Sequence, residues 1–572
     1  MGDKKINTSK AKILAILLII FGSVAWSLTT VKSGISYDYG LGFWGPHGHD
    51  GVWHISLAES LARGSLQMPT YSGIELKNYH VGYDLFLAVI HNLTGIGITT
   101  LYFQIIPPIM ALLIGFLFYR LTKKLFDQKV AIVALVFLYF GTSFGPLITL
   151  IREGVLSGES MFWSQQSIST LLNPPYAASL LMILLGMNVM FVGGLTRVRD
   201  YAAVILSFGL LLQIKAYAGA LIIAGLFVLA TYKFIQSKRN YLVIFLFTLF
   251  LNILVFLPTN SSSGSLLGID LFWFPLTMLA VSDRFDWPRL YEAISNWRLA
   301  GAWHKSTIGL AVASAIFIIG NLGLRSLSLA LPILKRKRIK FTDFDVFVLP
   351  MILIGLVAPL VFVQEGTPWN IIQFMYYALF FLNIYAAVSI VSISRFLGKK
   401  IGIFLLVAIS FSQILPSLIS LAQNYLPDRP PAMLPAEEFE ALSFLSKQED
   451  GIVLSFPFDQ FKAKEEESNP PRPLAYYEST AYVSAFSTKQ SFFENEVNLT
   501  ITGVDWKMRR QEVLDFHNTL DIDKAREFLS RNNIKYIYWI DGQRAKLGEK
   551  QLGITLIFEN NRAKIYVVDS LR

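Results

Sequence analysis

Val81-Gly-Tyr-Asp-Leu-Phe-Leu-Ala-Val-Ile-His-Asn-Leu93 is the stretch on which the reading of the chain turns. It is apolar enough to suggest a membrane span, yet it is short and carries Tyr83, Asp84 and His91. A helix needs about 20 predominantly apolar residues to cross roughly 30 Å of hydrocarbon. The run is therefore read as a helix lying at the interface, and that choice fixes which side every later segment faces.

Of the 572 residues, 53% are hydrophobic, 14% aromatic and only 16% charged, against about 25% charged in soluble domains. The apolar excess is gathered into long uncharged runs, so the expected fold class is an α-helical polytopic membrane protein. Eleven spans are expected: Ile13 to Val31, then near 99–119, 129–150, 176–195, 200–214, 217–235, 241–257, 307–324, 344–363, 371–392 and 401–422. The N-terminus is then inside and the C-terminus outside. The first run is read as an uncleaved anchor, because it is long for a signal peptide despite the small residues around Ser23-Val-Ala25.

Basic residues test this alternation independently. Lys4, Lys5, Lys10, Lys12, Arg120, Lys123, Lys124, Lys129, Arg197, Arg199, Lys233, Lys238 and Arg239 fall inside. So do Arg325, the Lys335-Arg-Lys-Arg338 cluster with Lys340, Arg395, Lys399 and Lys400. That places 22 of the 32 Lys and Arg of residues 1–429 in short inner segments and 10 in much longer outer ones, as the positive-inside rule demands. Counting 81–93 as a span would invert much of this.

The net charge of +10 divides unevenly. Residues 1–429 carry 32 basic against 18 acidic groups, and residues 430–572 carry 18 against 22. Topology accounts for the basic excess, and no nucleic-acid partner is expected. Cysteine is absent, which excludes disulfides, zinc-thiolate sites and a thiol nucleophile.

Two domains are expected: a membrane domain over 1–426 and an extracytoplasmic α/β domain over 427–572, entered through Leu426-Pro-Asp-Arg-Pro-Pro431. The first outer loop, 32–98, holds a second interfacial helix over 52–64, where Val52, Ile55, Ala58, Leu61 and Ala62 recur at helical spacing. The large outer loop, 258–306, opens with Asn260-Ser-Ser-Ser-Gly-Ser265 and carries Trp273, Trp287, Trp297 and Trp303, which suggests further interfacial helices. In the tail, helices are predicted over 437–446 and 523–531, the latter capped by Asp521 or Asp523. Strands are predicted over 452–456 and 534–539, with a hairpin of 554–558 and 563–568, and Glu465-Glu-Glu467 reads as a solvated loop. Asn92, Asn260 and Asn498 match the glycosylation acceptor pattern, which recurs by chance.

An enzyme acting on a lipid-linked substrate needs a base, a positive charge for a phosphate leaving group and an apolar groove. Gly45-Pro-His-Gly-His-Asp-Gly-Val-Trp-His54 offers the base in Asp50, which could equally cap the helix that follows. His54 lies one helical turn on, and His49 and His80 share the loop. Each histidine could pack or hydrogen-bond at the interface or could bind substrate, or Asp50 and His54 could hold a divalent metal such as Mg or Mn, although the spacing matches no established metal signature. Lys215, in Leu210-Leu-Leu-Gln-Ile-Lys-Ala-Tyr-Ala218, offers the charge; a phosphate could pair with it, or it could snorkel to the headgroups. Glu365, Trp369, Asn370 and Gln373 form a polar turn between two spans that could bind a sugar or simply turn the chain. Glu153 is a second acid in the 151–175 loop, beside Arg152 and Glu159.

Together these features resemble the GT-C superfamily of polyprenol-dependent membrane glycosyltransferases, and within it the protein-mannosyltransferase or aminoarabinose-transferase-like members. The resemblance rests on His49-Asp50 after the first span, on runs similar to two juxtamembrane helices entered through Asn78-Tyr-His-Val-Gly-Tyr83, on Arg120 to Lys124, and on Ile214-Lys-Ala-Tyr-Ala218. It covers about residues 1–425 as architecture. It implies a polyprenyl-phosphate-linked sugar donor, inverting transfer on the outer face, Asp50 as base or acceptor-orienting acid, and Lys215 near the lipid phosphate. The acceptor is left open among protein, lipid and envelope glycan, with membrane lipids as further partners. Two departures stand out: His49 precedes Asp50 where such members often carry an acidic pair, and the tail has no Trp-Trp-Asp motif of the oligosaccharyltransferase type. The rival readings are a transporter or lipid flippase, for which no internal repeat or paired broken helices are visible, and a non-catalytic scaffold with a partner-binding tail.

Overall fold

The computed structural model describes residues 2–260, 267–331 and 341–569, with residues 2–8 as backbone only. The Lys335 to Lys340 cluster, residues 261–265 of the serine-rich run and the side chains of Lys4 and Lys5 lie outside the described residues. The chain divides into two compact units. One comprises Met1–Thr29, Pro107–Pro258 and Ser265–Leu426; the other comprises Thr30–Ile106, Thr259–Gly264 and Pro427–Arg572. One edge falls at Leu426, and residues 30–106, expected within the 1–426 domain, belong to the same compact unit as the tail.

Among the described residues, nine helices are long and apolar enough to cross a membrane, and ten if the bent pair Gln128–Phe140 and Gly145–Glu153 counts as one span. Eleven were expected. The shortfall is 200–214, which is a 12-residue helix, Val198–Gly209, and a four-residue one, Leu211–Ile214, joined at Leu210. Asn252 serves that joint: its amide donates to the Phe208 carbonyl (3.0 Å) and its Oδ1 accepts from the Leu212 N–H (3.0 Å).

The bent pair turns by 58°. In hydrocarbon a broken helix is tolerated only where the protein satisfies its freed backbone groups. Here Ser167 Oγ donates to the Phe137 carbonyl (2.9 Å), Ser417 Oγ to the Phe140 carbonyl (2.8 Å), and the Thr142 N–H to Gln413 Oε1 (3.1 Å). Arg325, expected among the inward-facing basic residues, is instead 1% exposed beside this break. Its guanidinium donates to Asn383 Oδ1 (2.6 Å), Gln166 Oε1 (2.9 Å), Ser167 Oγ (2.9 Å) and the Thr142 carbonyl (3.4 Å). A planar fork of five donors suits that task, so Arg325 holds a kink and does not mark a membrane face.

In the other unit, first-loop and tail strands share one sheet, in the order Ser36–Tyr37, Gly40–Phe43, Ala432–Pro435, Arg472–Pro473. Gly40 sits at φ +120°, and a Cβ there would lie 2.1 Å from the Leu434 carbonyl oxygen, so this pairing requires glycine. The second sheet runs Ile452–Ser455, Ile534–Ile540, Ala563–Val568, Ile554–Glu559, with the predicted hairpin antiparallel. Asp521 caps Ile522–Arg531 through the N–H groups of Asp523 and Lys524. Glu465 and Glu466 end a short helix, Gln460–Glu466, where a loop was expected; Asp459 caps its start.

The decisive stretch is a 13-residue helix, Gly82–Thr94, about 20 Å long and too short to span. It buries Tyr83, Asp84, Leu87 and Ala88 and exposes Leu85, Phe86, Val89 and Leu93, the two-faced pattern of an interfacial helix. The expected interfacial helix over 52–64 is different. Asp50–Ala62 is buried on nearly all sides, from Gly51 through Ala58 and at Ser60. Its polar residues are accommodated by partners within the unit: Ser56 Oγ donates to Ser484 Oγ (2.8 Å) and His54 pairs with Asp84. Asn498, one of the sequon asparagines, is buried, with its amide donating to Asn495 Oδ1 (3.1 Å).

Candidate functional site

Asp50 is the first residue of the buried helix, and His49 occupies the cap position without a side-chain capping bond. Asp50 is exposed, and its carboxylate has no hydrogen bond or ion pair among the described residues. The capping alternative is therefore not realised. A carboxylate in the first turn of a helix is still favoured by the helix dipole, which accounts for an unpaired acid being tolerated there.

The surroundings of Asp50 come from both ends of the sequence. The His49 ring lies 5.9 Å from that of Tyr477, and the Arg472 guanidinium sits 3.7 Å over the same tyrosine. Burial lowers the pKa of His49, the Arg472 charge lowers it further, and Asp50 opposes both. His49 is therefore held toward its neutral form.

His54, one turn further along, is 5% exposed, and its Nδ1 lies 2.8 Å from Oδ1 of fully buried Asp84. Tyr102 stacks on His54 at 5.8 Å, with Tyr79 at 6.1 Å. The hydroxyls of Tyr83 and Tyr102 and the indole N–H of Trp53 are buried without hydrogen-bond partners among the described residues. Burial raises the Tyr83 pKa well above its ordinary value, with the Asp84 charge adding. His80 stacks on Tyr79 at 4.7 Å.

Asp84, Tyr102, Arg472 and Tyr477 were not among the expected site residues. Asp84 was visible as an acid in an apolar run. Nothing in the local sequence marks the two tail residues, whose position comes from strand pairing with Gly40–Phe43 through Ala432–Pro435.

In the membrane unit, Lys215 is 4% exposed at the cap position of Ala216–Ile235. Its Nζ lies 3.4 Å from Asn173 Oδ1, an atom that also caps Pro174–Met187, and 5.9 Å from the Tyr217 ring. The Tyr217 hydroxyl donates to Gln364 Oε1 (2.9 Å), bringing the polar turn beside this helix start.

Within that turn, Glu365 and Trp369 are exposed, and the Asn370 amide donates to Thr367 Oγ1 (3.0 Å), a bond internal to the turn. Gln373 Oε1 is buried without a partner among the described residues. Glu153 is exposed at the end of its helix, whereas Glu159 is organised: its carboxylate accepts from Ser169 Oγ (2.7 Å), the Gln166 N–H (3.0 Å) and Ser420 Oγ (3.1 Å). Burial raises the Glu159 pKa.

For the metal expectation at Asp50 and His54, no group of three or more His, Asp or Glu that could hold an ion is gathered among the described residues, and His54 Nδ1 faces Asp84.

No protein-family model and no curated protein matches the chain. Solved structures of the oligosaccharyltransferase of Archaeoglobus fulgidus are similar to it. The form tethered to an acceptor peptide with the NVT sequon has 14% identity and a TM-score of 0.49, over 92% of this chain and 69% of that one. The complex with Zn and sulfate has 13% identity and a TM-score of 0.47, over 91% and 68%. The complex with an inhibitory peptide and a dolichol-phosphate has 12% identity and a TM-score of 0.41, over 92% and 69%. With TM-scores below 0.5, the functional reading rests on the side chains.

Proposed function

We propose that the chain is a GT-C-type glycosyltransferase that moves a sugar from a polyprenyl-phosphate-linked donor to an acceptor on the extracytoplasmic side, with inversion. The observation that carries this reading is Asp50: an exposed, unpaired carboxylate at the start of a buried helix whose next turn is fixed by the His54–Asp84 pair. In the proposed step the acceptor hydroxyl or amide attacks the anomeric carbon as the carbon–oxygen bond to phosphate breaks. Asp50 takes the acceptor proton, and the lipid phosphate leaves with the electron pair. Lys215, with the helix start it caps, stabilises the charge growing on that phosphate. Glu365, Trp369, Asn370 and Gln373 are proposed to contact the sugar, and His49, His54, His80 and Glu153 to complete the substrate surroundings. The charge asymmetry of the inner and outer segments supports the extracytoplasmic placement. The protein-mannosyltransferase or aminoarabinose-transferase-like grouping is part of this proposal.

The broken pair at residues 141–144 is a feature on the transporter's side. Its freed backbone groups bond to protein side chains, which favours a structural kink over a permeation path.

The test is transfer from a panel of radiolabelled polyprenyl-phosphate sugars by purified, folded protein. Asp50→Asn is expected to lose turnover while still binding donor. Undiminished turnover in that variant overturns the role of Asp50, and no transfer from any donor overturns the enzyme reading.

A further inference from the structure

The extramembrane unit contains a cavity of about 310 Å³ between the Ile534–Ile540 strand end and the Gln460–Glu466 helix. That is at the lower end of the range of roughly 300–1,000 Å³ for small-molecule sites. It lies within one unit and shares none of the residues assigned above. We propose that it is a binding site for a neutral saccharide, the size of a sugar ring or a short glycan.

The argument starts with the wall. Tyr476, Tyr482 and Tyr538 line it with half-buried Phe456, a supply of aromatic faces and edges for the C–H surface of a sugar. Behind the tyrosines runs a fixed network. Arg562 donates from Nε to Glu438 Oε1 (2.7 Å) and pairs through Nη2 with Asp541 Oδ2 (2.9 Å). The Tyr476 hydroxyl donates to the same Asp541 oxygen (2.8 Å), and the Tyr538 hydroxyl donates to Glu438 Oε2 (3.2 Å). Glu438 is fully buried, and burial pushes its pKa up to about 7 against the pull of Arg562.

Asp541 is thereby held rigidly by one oxygen. Its Oδ1 accepts from no group among the described residues and belongs to a side chain lining the cavity. Asp541 also adopts φ +50°, a left-handed conformation uncommon outside glycine, ahead of Gly542 at +73°. Gln543 is anchored by its Oε1, which accepts from the Ile540 N–H (3.1 Å). Its amide donors remain for a ligand.

Charge selects the ligand class. Asp459 and Asp541 are balanced at the lining by Lys462 and Arg544. A polyanion or polycation would meet its own sign, whereas adjacent sugar hydroxyls can donate to a carboxylate and accept from an amide and a guanidinium.

The experiment is saturation-transfer NMR and titration of the full-length protein in detergent micelles with neutral probes: glucose, mannose, galactose, N-acetylglucosamine and their disaccharides. The expected result is saturable binding of at least one probe, weakened tenfold or more in Asp541→Asn and several-fold in Arg544→Ala. Arg544 is exposed with no partner among the described residues, so its variant keeps the test independent of folding. Asp50→Asn should bind the probe as well as the parent protein does, even where transfer is lost, so this site and the transferase reading fail separately. No binding by any neutral probe, binding only of charged analogues such as glucuronate, or unchanged affinity in both variants would overturn the proposal.

Discussion

Asp50 and Lys215 carry the opposite charges that the proposed transfer needs, and their surroundings are opposite too. Asp50 stands exposed at the tip of a buried helix in the extramembrane unit, with no side-chain bond among the described residues to hold it. Lys215 is 4% exposed in the membrane unit, with Asn173 Oδ1 and the Tyr217 ring among its neighbours. A base must be reached by solvent and acceptor, and hydration keeps a lone carboxylate inexpensive there. A cation meant for phosphate gains by being partly desolvated, because the interaction strengthens as the local dielectric falls. The difference teaches that the two charges should fail differently when removed.

The largest expected effect is at Asp50. Asp50→Asn should lower kcat by about 10²–10⁴-fold with the donor KM and thermal stability unchanged, read by steady-state transfer assays and fluorescence-detected unfolding. A large drop in stability would make Asp50 a structural residue and break the comparison from that side.

Next comes Lys215→Met, expected to cost about 10²–10³-fold in kcat/KM for the donor, the range for losing one preorganised electrostatic partner. In the proposed role Lys215 would meet the donor's phosphate before and during transfer, so the donor KM should rise as well. Lys215→Arg should restore part of the loss. A variant as active as the parent would reduce Lys215 to a packing residue.

How much of this was readable in advance follows from what each element depends on. The long apolar helices, the tail hairpin and the Asp521 cap rest on local pattern, and the structure has them within a few residues, the 200–214 segment excepted. The 52–64 segment did not read correctly, because apolar spacing cannot distinguish a helix lying on lipid from one enclosed by a second segment. What encloses it is the Gly82–Thr94 helix, through His54–Asp84, together with the tail, through contacts such as Ser56–Ser484, more than 400 residues away in sequence. Arg325 misread for a related reason: its charge looked like a topology marker until the kink it serves was visible. Of the proposed site, Asp50 and Lys215 stand out in the sequence as single charges beside apolar runs. Arg472 and Tyr477 were not, since only sheet pairing brings them to His49.

A third effect sharpens the contrast between exposed and buried acids. Glu494 is buried in the extramembrane unit, where its carboxyl accepts from the N–H groups of Val483 and Ser484 and the hydroxyls of Ser484 and Ser491. Burial outweighs those bonds and raises its pKa from 4.5 to about 7. The folded state then binds more protons than the unfolded state between those values. Stability is fully present below pH 4.5 and falls as pH rises through about 7, by up to about 3 kcal/mol. Glu494→Gln should flatten its share of that slope, read by unfolding of the full chain at pH 5 and pH 8. An unchanged slope would assign the titration elsewhere, Glu438 being the next candidate.

The smallest effect is expected at Asp84, and it decides which acid of the first loop does the chemistry. Asp84 is fully buried against His54, so Asp84→Asn removes a charge-assisted bond and leaves an amide in its place. The expected cost is about 1–3 kcal/mol of stability, with a partial loss of turnover as the His54 turn loosens beneath Asp50. The two variants thus have opposite signatures, turnover without stability for Asp50 and chiefly stability for Asp84. If Asp84→Asn instead abolished transfer while melting like the parent protein, the roles would be exchanged. The buried pair would then be the reactive one and the exposed carboxylate a bystander.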